Sequence, residues 1–232
     1  MDVDATCSMR PGGLALTQIA LSRCSFPLGA RILDVGCGSA ATVEYLIGQQ
    51  FRALGVDPSY TNLRQGYGRN ASLPLISAAG EDLPFSDCTL DGVFFECVLS
   101  IIRDTEKVLS ECRRILKDEG RLVLSDLYLT HPGQTNAISS LPSNCCLAHA
   151  MTKEEVLGEL NAHGFQLTLW EDHSPALKAF VAQLVFSYGS VEKFFCRVAQ
   201  DNGDFVNSQE IKEAITRIKP GYYLLIAQKA VC

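Results

Sequence analysis

Short apolar runs that each lead into a helical pattern constrain this chain more than any other feature. Arg31–Val35 (RILDV) reads as a buried strand, followed by a glycine turn and a helix near Ala40–Ile47. Arg52–Val56 repeats the pattern, with a helix near Tyr60–Arg69. Pro74–Ala78 is a weaker strand, and Leu90–Cys97 (LDGVFFEC) a strong one. Thr105–Leu116 places Val108, Leu109, Cys112 and Ile115 on one helical face and stops near Asp118-Glu119-Gly120, where a C-terminal glycine is expected. Arg121–Leu129 follows as a strand. Strands alternating with helices imply βαβ units, and therefore a parallel sheet covered on both faces.

Beyond Leu129 comes a polar loop, Thr130–Asn144, rich in Pro, Gly and Ser. Thr152, with Glu155 three residues later, predicts a capping box that opens a helix ending at His163-Gly164. Phe165–Trp170 is a strand, 174–219 reads as several helices broken at Tyr188-Gly189 and Asp201–Gly203, and Tyr222–Gln228 closes the chain as a strand. The expected fold is α/β: a doubly wound, mostly parallel, Rossmann-like sheet of about seven strands. No internal repeat or domain boundary is visible. Residues 1–232 are read as one domain, with an N-terminal helical segment over 1–30 and a helical insertion over 174–219 acting as a lid.

Composition narrows the function. Twenty Lys and Arg against 26 Asp and Glu leave a net charge of −6, and no basic run offers a surface that tracks phosphates, so a nucleic-acid partner is not expected. The apolar stretches are broken well before the ~18 residues of a spanning helix, so no membrane segment is expected. The opening MDVDATCSMRPGG has acids and no apolar h-region. With ten scattered cysteines, many inside apolar patterns, this predicts a cytoplasmic setting and free thiols.

The chemistry is concentrated in Leu33-Asp34-Val35-Gly36-Cys37-Gly38-Ser39-Ala40. Gly36 permits a tight turn, Gly38 lets a ligand approach the backbone, and the helix behind presents free N–H groups. Asp57 ends the second strand 57 − 38 = 19 residues after Gly38, where an acid accepts hydrogen bonds from a ribose diol. A nucleoside-containing ligand at the sheet's carboxyl edge follows. Two ligands compete, a dinucleotide and S-adenosylmethionine (SAM). Gly36-x-Gly38-x-x-Ala41 satisfies the looser dinucleotide fingerprint, but Asp34 would face a pyrophosphate unfavourably and suits the cationic groups of SAM.

These residues resemble the class I SAM-dependent methyltransferases of the type 11 kind, over roughly 10–172 and the last strand. "ILDVGCGSA" is similar to their glycine motif, "GVDPS" to the ribose-binding acid followed by Pro58, "AAGEDLPFSDCTLDGVFFECVL" to the adenine loop and fourth strand, and "VLSECRRILKDEGRLVLSD" to the helix and strand that follow. The resemblance implies that Asp34 and the backbone of Gly36, Cys37 and Gly38 hold the methionine part. It gives Asp57 the ribose hydroxyls, sets Gly80, Glu81 and Asp82 along the adenine, and puts Glu96 and Cys97 beside the amino-acid end. Many members carry an acid where this chain has Ala79, so Glu81, Asp82 or the backbone would substitute.

The expected function is methyl transfer from SAM to a small or medium-sized acceptor. The alternatives are a non-catalytic SAM-binding or interaction protein, and a nicotinamide-dependent oxidoreductase. Asp126, His149 and His131 are the candidate bases for a protonated acceptor. Cys146-x-x-His149 offers half of a metal site, but its other half is not evident, so no metal is predicted. "CLAHAMTKEEVLGELNAHGF" is similar in layout to arsenite methyltransferases, which would give Cys146 a substrate-binding role. The aromatics Phe180, Phe186, Tyr188, Phe194 and Phe195 are expected to line an apolar acceptor chamber under the lid, with Arg10 and Pro11-Gly12-Gly13 closing the other side. The oligomeric state is not legible in the sequence.

Overall fold

The structure is a computed structural model of all 232 residues. The residues described are 10–131, 147, 149–201, 209, 213 and 217–230. The elements in chain order are α1 (Gly13–Cys24), β1 (Arg31–Val35), α2 (Ala41–Gly48), β2 (Arg52–Val56), α3 (Tyr60–Arg69), β3 (Leu75–Ile76) and β4 (Leu90–Glu96). A 3₁₀ turn (Leu99–Ile101) leads to α4 (Thr105–Ile115) and β5 (Leu116–Leu129). Then follow α5 (Lys153–Ala162), β6 (Phe165–Asp172), α6 (Ser174–Tyr188), α7 (Val191–Asp201) and β7 (Pro220–Lys229).

The seven strands lie in the order β3-β2-β1-β4-β5-β7-β6. Neighbouring pairs from β3 to β5 are parallel, and β7 runs antiparallel to both β5 and β6. Only β7 is therefore reversed, which makes the expected mostly parallel sheet a mixed one. β3 shrinks to two residues, because Pro74 cannot donate to a ladder. β5 begins earlier than expected, since Leu116 already pairs with Leu90 across an irregularity.

Successive residues along each strand serve opposite faces. Ile32, Phe94, Val123 and Tyr222 join a core with α1 and α2, while Leu33, Phe95, Leu124 and Tyr223 join one with α4 and α5. Phe94 and Tyr222 are fully buried, each worth ~1.5–3 kcal/mol or more over exposure. Trp170 stacks on Tyr223 at 4.5 Å, which seals the β6 edge. Helix starts follow the sequence: Ser59 caps α3, Asp104 caps α4, and Thr152 and Glu155 form the predicted box at α5. The N–H groups so satisfied are ones the helix itself cannot pair.

α6 and α7 form the insertion between β6 and β7. Residue 222 anchors the start of α6: His173 donates its N–H to the Tyr222 carbonyl at 2.7 Å, and Tyr222 donates to Ser174 Oγ at 3.2 Å. Gly189, at φ 85°, separates the two helices where the sequence placed a break. Much of 202–219, and the cysteines Cys145 and Cys146, lie outside the described residues.

Candidate active site

The turn after β1 is built around one backbone acceptor. Gly36 and Cys37 both donate N–H groups to the Val56 carbonyl, at 2.8 and 3.0 Å. This pins the turn to the end of β2. Gly36 sits at φ 71°, and a Cβ placed there would stand 2.5 Å from Val98 Cγ2, so two constraints at once demand glycine. Gly38, also at positive φ, has nothing within 4 Å of its Cβ position and leaves open space above the turn.

Asp57 fixes the facing wall. Its Oδ2 accepts the Gly38 N–H at 2.9 Å, and its Oδ1 accepts the Ser59 N–H at 2.8 Å and Asn62 Nδ2 at 3.4 Å. The turn and the acid expected on the ribose are thus one rigid unit. They border a cavity of about 680 Å³, well within the range of a cofactor site. Gly36, Cys37, Gly38, Asp57 and Pro58 line it on one side, Gly80 and Glu81 on a second, and Glu96 and Cys97 on a third. Nine of the eleven residues predicted to bind cofactor therefore meet around one space. Asp34 and Asp82 do not line it. Asp82 closes the 79–82 turn through its N–H to the Ala79 carbonyl, and Asp34 lies beneath the floor, 3% exposed.

The charges in the wall of this cavity form a network absent from the sequence reading. Arg10 pairs with Glu96 at 2.7 Å, and both side chains are more than nine-tenths buried. Glu96 also accepts the hydroxyls of Thr17 at 2.7 Å and Thr42 at 2.5 Å, and Arg10 donates to the same two oxygens. Arg10 lines the cavity as expected, although Pro11, Gly12 and Gly13 do not, and it also bolts α1 and α2 to the end of β4. The carboxyl of Asp34 is pushed well above the usual range. Burial is the main cause, Glu96 and Asp57 add to it, and Arg10 opposes it. Val98, Ile101, Ile102 and Arg103 line the cavity as well. They follow the strong β4 pattern directly, and that position was the only signal for them.

The candidate catalytic groups sit elsewhere. Asp126 is 1% exposed and does not line the cavity. It accepts Ser100 N–H at 2.9 Å, Ser100 Oγ at 2.6 Å and Leu127 N–H at 2.7 Å, so its carboxylate braces the 3₁₀ turn. Burial pushes its pKa up to about 6 against these hydrogen bonds. His149 joins the same turn through its N–H to the Ser100 carbonyl at 2.9 Å, and its Nε2 is buried with no hydrogen-bond partner. His131 is exposed beyond the end of β5, and Cys146 lies outside the described residues. Burial pushes the thiols of Cys37 and Cys97 far up, so both stay neutral at physiological pH and neither acts as a thiolate. Cys97, at φ 59°, instead meets Tyr222 Oη at 3.1 Å. No cluster of metal-ligating side chains occurs among the described residues.

The expected aromatic chamber needs correction. None of Phe180, Phe186, Tyr188, Phe194 and Phe195 lines the cavity. Phe195 is in the core on the α1 side of the sheet, Phe194 meets both Tyr188 and Phe195 edge to face, and Phe186 is 92% exposed. The reason is helical phase: α6 turns Leu177 and Leu184 inward, which forces Phe186 outward.

A sheet of this order with its last strand reversed, a glycine turn after β1 and an acid ending β2 are features the chain shares with class I SAM-dependent methyltransferases. Residues 33–124, from β1 through most of β5, match the family described as a methyltransferase domain. The match decides for SAM over a dinucleotide as the cofactor. Curated relatives include an uncharacterized methyltransferase, YodH, of Bacillus subtilis (34% identical, 53% of this chain and 54% of the relative). The O-methyltransferase cnsE of Penicillium expansum is 26% identical over 72% of this chain and 65% of its own length. The demethylmenaquinone methyltransferase of Corynebacterium urealyticum is 28% identical over 62% and 71%. The chain thus spans between about half and two thirds of the first two. Among solved structures, phosphoethanolamine N-methyltransferase 2 of Haemonchus contortus has a TM-score of 0.73 at 19% identity, covering 96% of this chain and 54% of that one. The [4+2]-cyclase SpnF has a TM-score of 0.70 at 20% identity, covering 94% and 82%. A cyclase sharing the frame means that the fold alone does not define the reaction.

Proposed function

We propose that the protein transfers a methyl group from SAM to a small-molecule acceptor. The observation that carries this reading is Asp57, held by the Gly38 and Ser59 amides beside a cavity that ends in buried charges. Asp57 would take the ribose hydroxyls and the Gly80-Glu81 segment the adenine. The turn backbone, Glu96 and Arg10 would meet the charged methionine end, with Asp34 buried beneath them. SAM supplies a methyl group already activated on a sulfonium. The protein's part is then to align the acceptor and exclude water, which Val98, Ile101 and Ile102 serve as apolar wall.

Neither Asp126 nor His149 lines the cavity, so neither is assigned the role of base for an acceptor that must lose a proton. The small acceptor is supported by relatives whose names describe an O-methyltransferase and a demethylmenaquinone methyltransferase. Among the described residues no helix is long and apolar enough to cross a membrane, and the net charge of −6 disfavours nucleic acid. Calorimetry with SAM, its demethylated product and NAD tests the cofactor: 1:1 binding of the first two is expected. Failure of folded protein to bind either refutes the reading. Turnover against a panel of phenols, quinols and amines, read by release of the demethylated product, then separates an enzyme from a SAM-binding protein.

A further inference from the structure

Cys97 turns the chain off the end of β4. Its φ of 59° lies in the left-handed region, where residues with a Cβ are uncommon. Such a conformation persists only where its surroundings enforce it. The turn shapes the cavity. Cys97 lines it directly, and the next residue, Val98, is carried onto the glycine turn, its methyls 2.5 and 2.8 Å from the Cβ position of Gly36. Ile101 and Ile102, further along the same segment, line the cavity as well.

The groups that hold the turn come from β5 and β7. The Cys97 N–H donates to the Ser125 carbonyl at 2.8 Å. Tyr222 Oη, near the start of β7, donates to the same carbonyl in a longer bond of 3.4 Å and lies 3.1 Å from Cys97 Sγ. With the tyrosine proton turned to Ser125, the thiol is left to donate to the phenol oxygen. The amide and the side chain of Cys97 are thereby tied to one carbonyl, the first directly and the second through Tyr222. Burial pushes both the thiol and the phenol up, so both keep their protons at physiological pH and the loop of hydrogen bonds stays closed. Tyr222 is itself fixed. It is fully buried, and its backbone bonds His173 and Ser174 at the start of α6.

We infer that Tyr222 is a positioning residue of the cofactor site: its hydroxyl holds the strained Cys97 turn, so that Val98, Ile101 and Ile102 stand as the cavity wall. Tyr222 does not line the cavity and acts through Cys97. A ring needed only to fill the core would serve as well without its hydroxyl. The inference rests on the methyl-transfer reading for what the cavity binds.

Calorimetric titration of the full chain with SAM tests it. Tyr222→Phe keeps the ring and removes only the hydroxyl, and should raise the Kd for SAM about 3–10-fold, the worth of one such hydrogen bond. Glycine adopts a positive φ without strain and carries no thiol. In a Cys97→Gly background the hydroxyl therefore has nothing left to hold, and adding Tyr222→Phe should change the Kd by less than about 1.5-fold. A general loss of core packing would instead weaken binding equally in both backgrounds. Cys97→Ala keeps the strain without the thiol, so it should bind SAM less tightly than Cys97→Gly, and this comparison carries the test if Tyr222→Phe unfolds in urea melts. An unchanged Kd in folded Tyr222→Phe, an equal rise in the two backgrounds, or Cys97→Ala binding as tightly as Cys97→Gly overturns the inference and leaves the cofactor reading intact. Folded wild type that does not bind SAM overturns both.

Discussion

Gly36→Ala separates two physical costs that the glycine turn avoids together. The first is backbone: φ 71° lies in the left-handed region, which costs a residue with a Cβ ~1–2 kcal/mol. The second is overlap: the new methyl would stand 2.5 and 2.8 Å from the two Val98 methyls, a packing conflict worth ~1–3 kcal/mol. Together they predict a loss of ~2–5 kcal/mol, or roughly 5–20 °C in Tm for a chain of this size. Val98→Ala removes only the second cost, so Gly36→Ala with Val98→Ala should be more stable than the sum of the single losses by ~1–3 kcal/mol. Urea unfolding of the wild type and the three variants measures this. Additivity within ~0.5 kcal/mol would show that Val98 does not crowd the turn, and the account of why glycine is required would fail.

Arg10→Met strands a Glu96 carboxylate that is nine-tenths buried, so urea melts should show ~3–5 kcal/mol lost, with part restored on adding Glu96→Met. A loss under 1 kcal/mol would mean that the network does not bolt α1 to β4. Asp57→Ala removes an acceptor of three donors and should weaken SAM binding by ~1.5–3 kcal/mol, read by calorimetry; unchanged affinity rejects its ribose role. Asp126 has a folded pKa of about 6 against ~3.9 unfolded. The native state therefore holds the extra proton, and stability falls as pH rises from ~4 to 7, by up to ~2–3 kcal/mol. Asp126→Asn should flatten that slope in urea melts across the range, and an unchanged slope would locate the titration elsewhere.

The frame was legible because it rests on periodicity. RILDV and LDGVFFEC had to be buried strands, and Thr152 with Glu155 announced its helix before any tertiary contact. The nine predicted residues that line the cavity lie at or within a few residues of the ends of β1, β2, β3 and β4, so local pattern sufficed for them. The network that joins Arg10, Thr17, Thr42 and Glu96 was different. Seventy-nine residues separate Thr17 from Glu96, and 32 separate Arg10 from Thr42. No periodicity links residues so far apart; only folding brings them together. The aromatics of 180–195 failed for another reason. Composition counts rings, whereas the direction each ring faces depends on helical phase, and the 177–184 spacing already turned Phe186 away from the sheet.

The charge balance at the cavity carries one more consequence. Asp34 lies buried near the carboxylates of Glu96 and Asp57, which the Arg10 guanidinium only partly offsets, and it holds its proton well above the usual range. Burial is the larger part of that cost and the neighbouring carboxylates the rest. SAM bears an ammonium and a sulfonium against one carboxylate, so its net positive charge favours ionised Asp34 and lowers its pKa on binding. SAM should therefore displace a proton, and its affinity should rise with pH between the pKa of the complex and that of the free protein, by at most about tenfold per pH unit. The demethylated product lacks the sulfonium and should show a weaker slope. Calorimetry in two buffers of different ionisation enthalpy counts the protons directly. In Asp34→Asn the difference between the two buffers should vanish for both ligands. Proton release that survives in Asp34→Asn, or equal release by SAM and its product, would show that the buried carboxyl does not sense the ligand's charge.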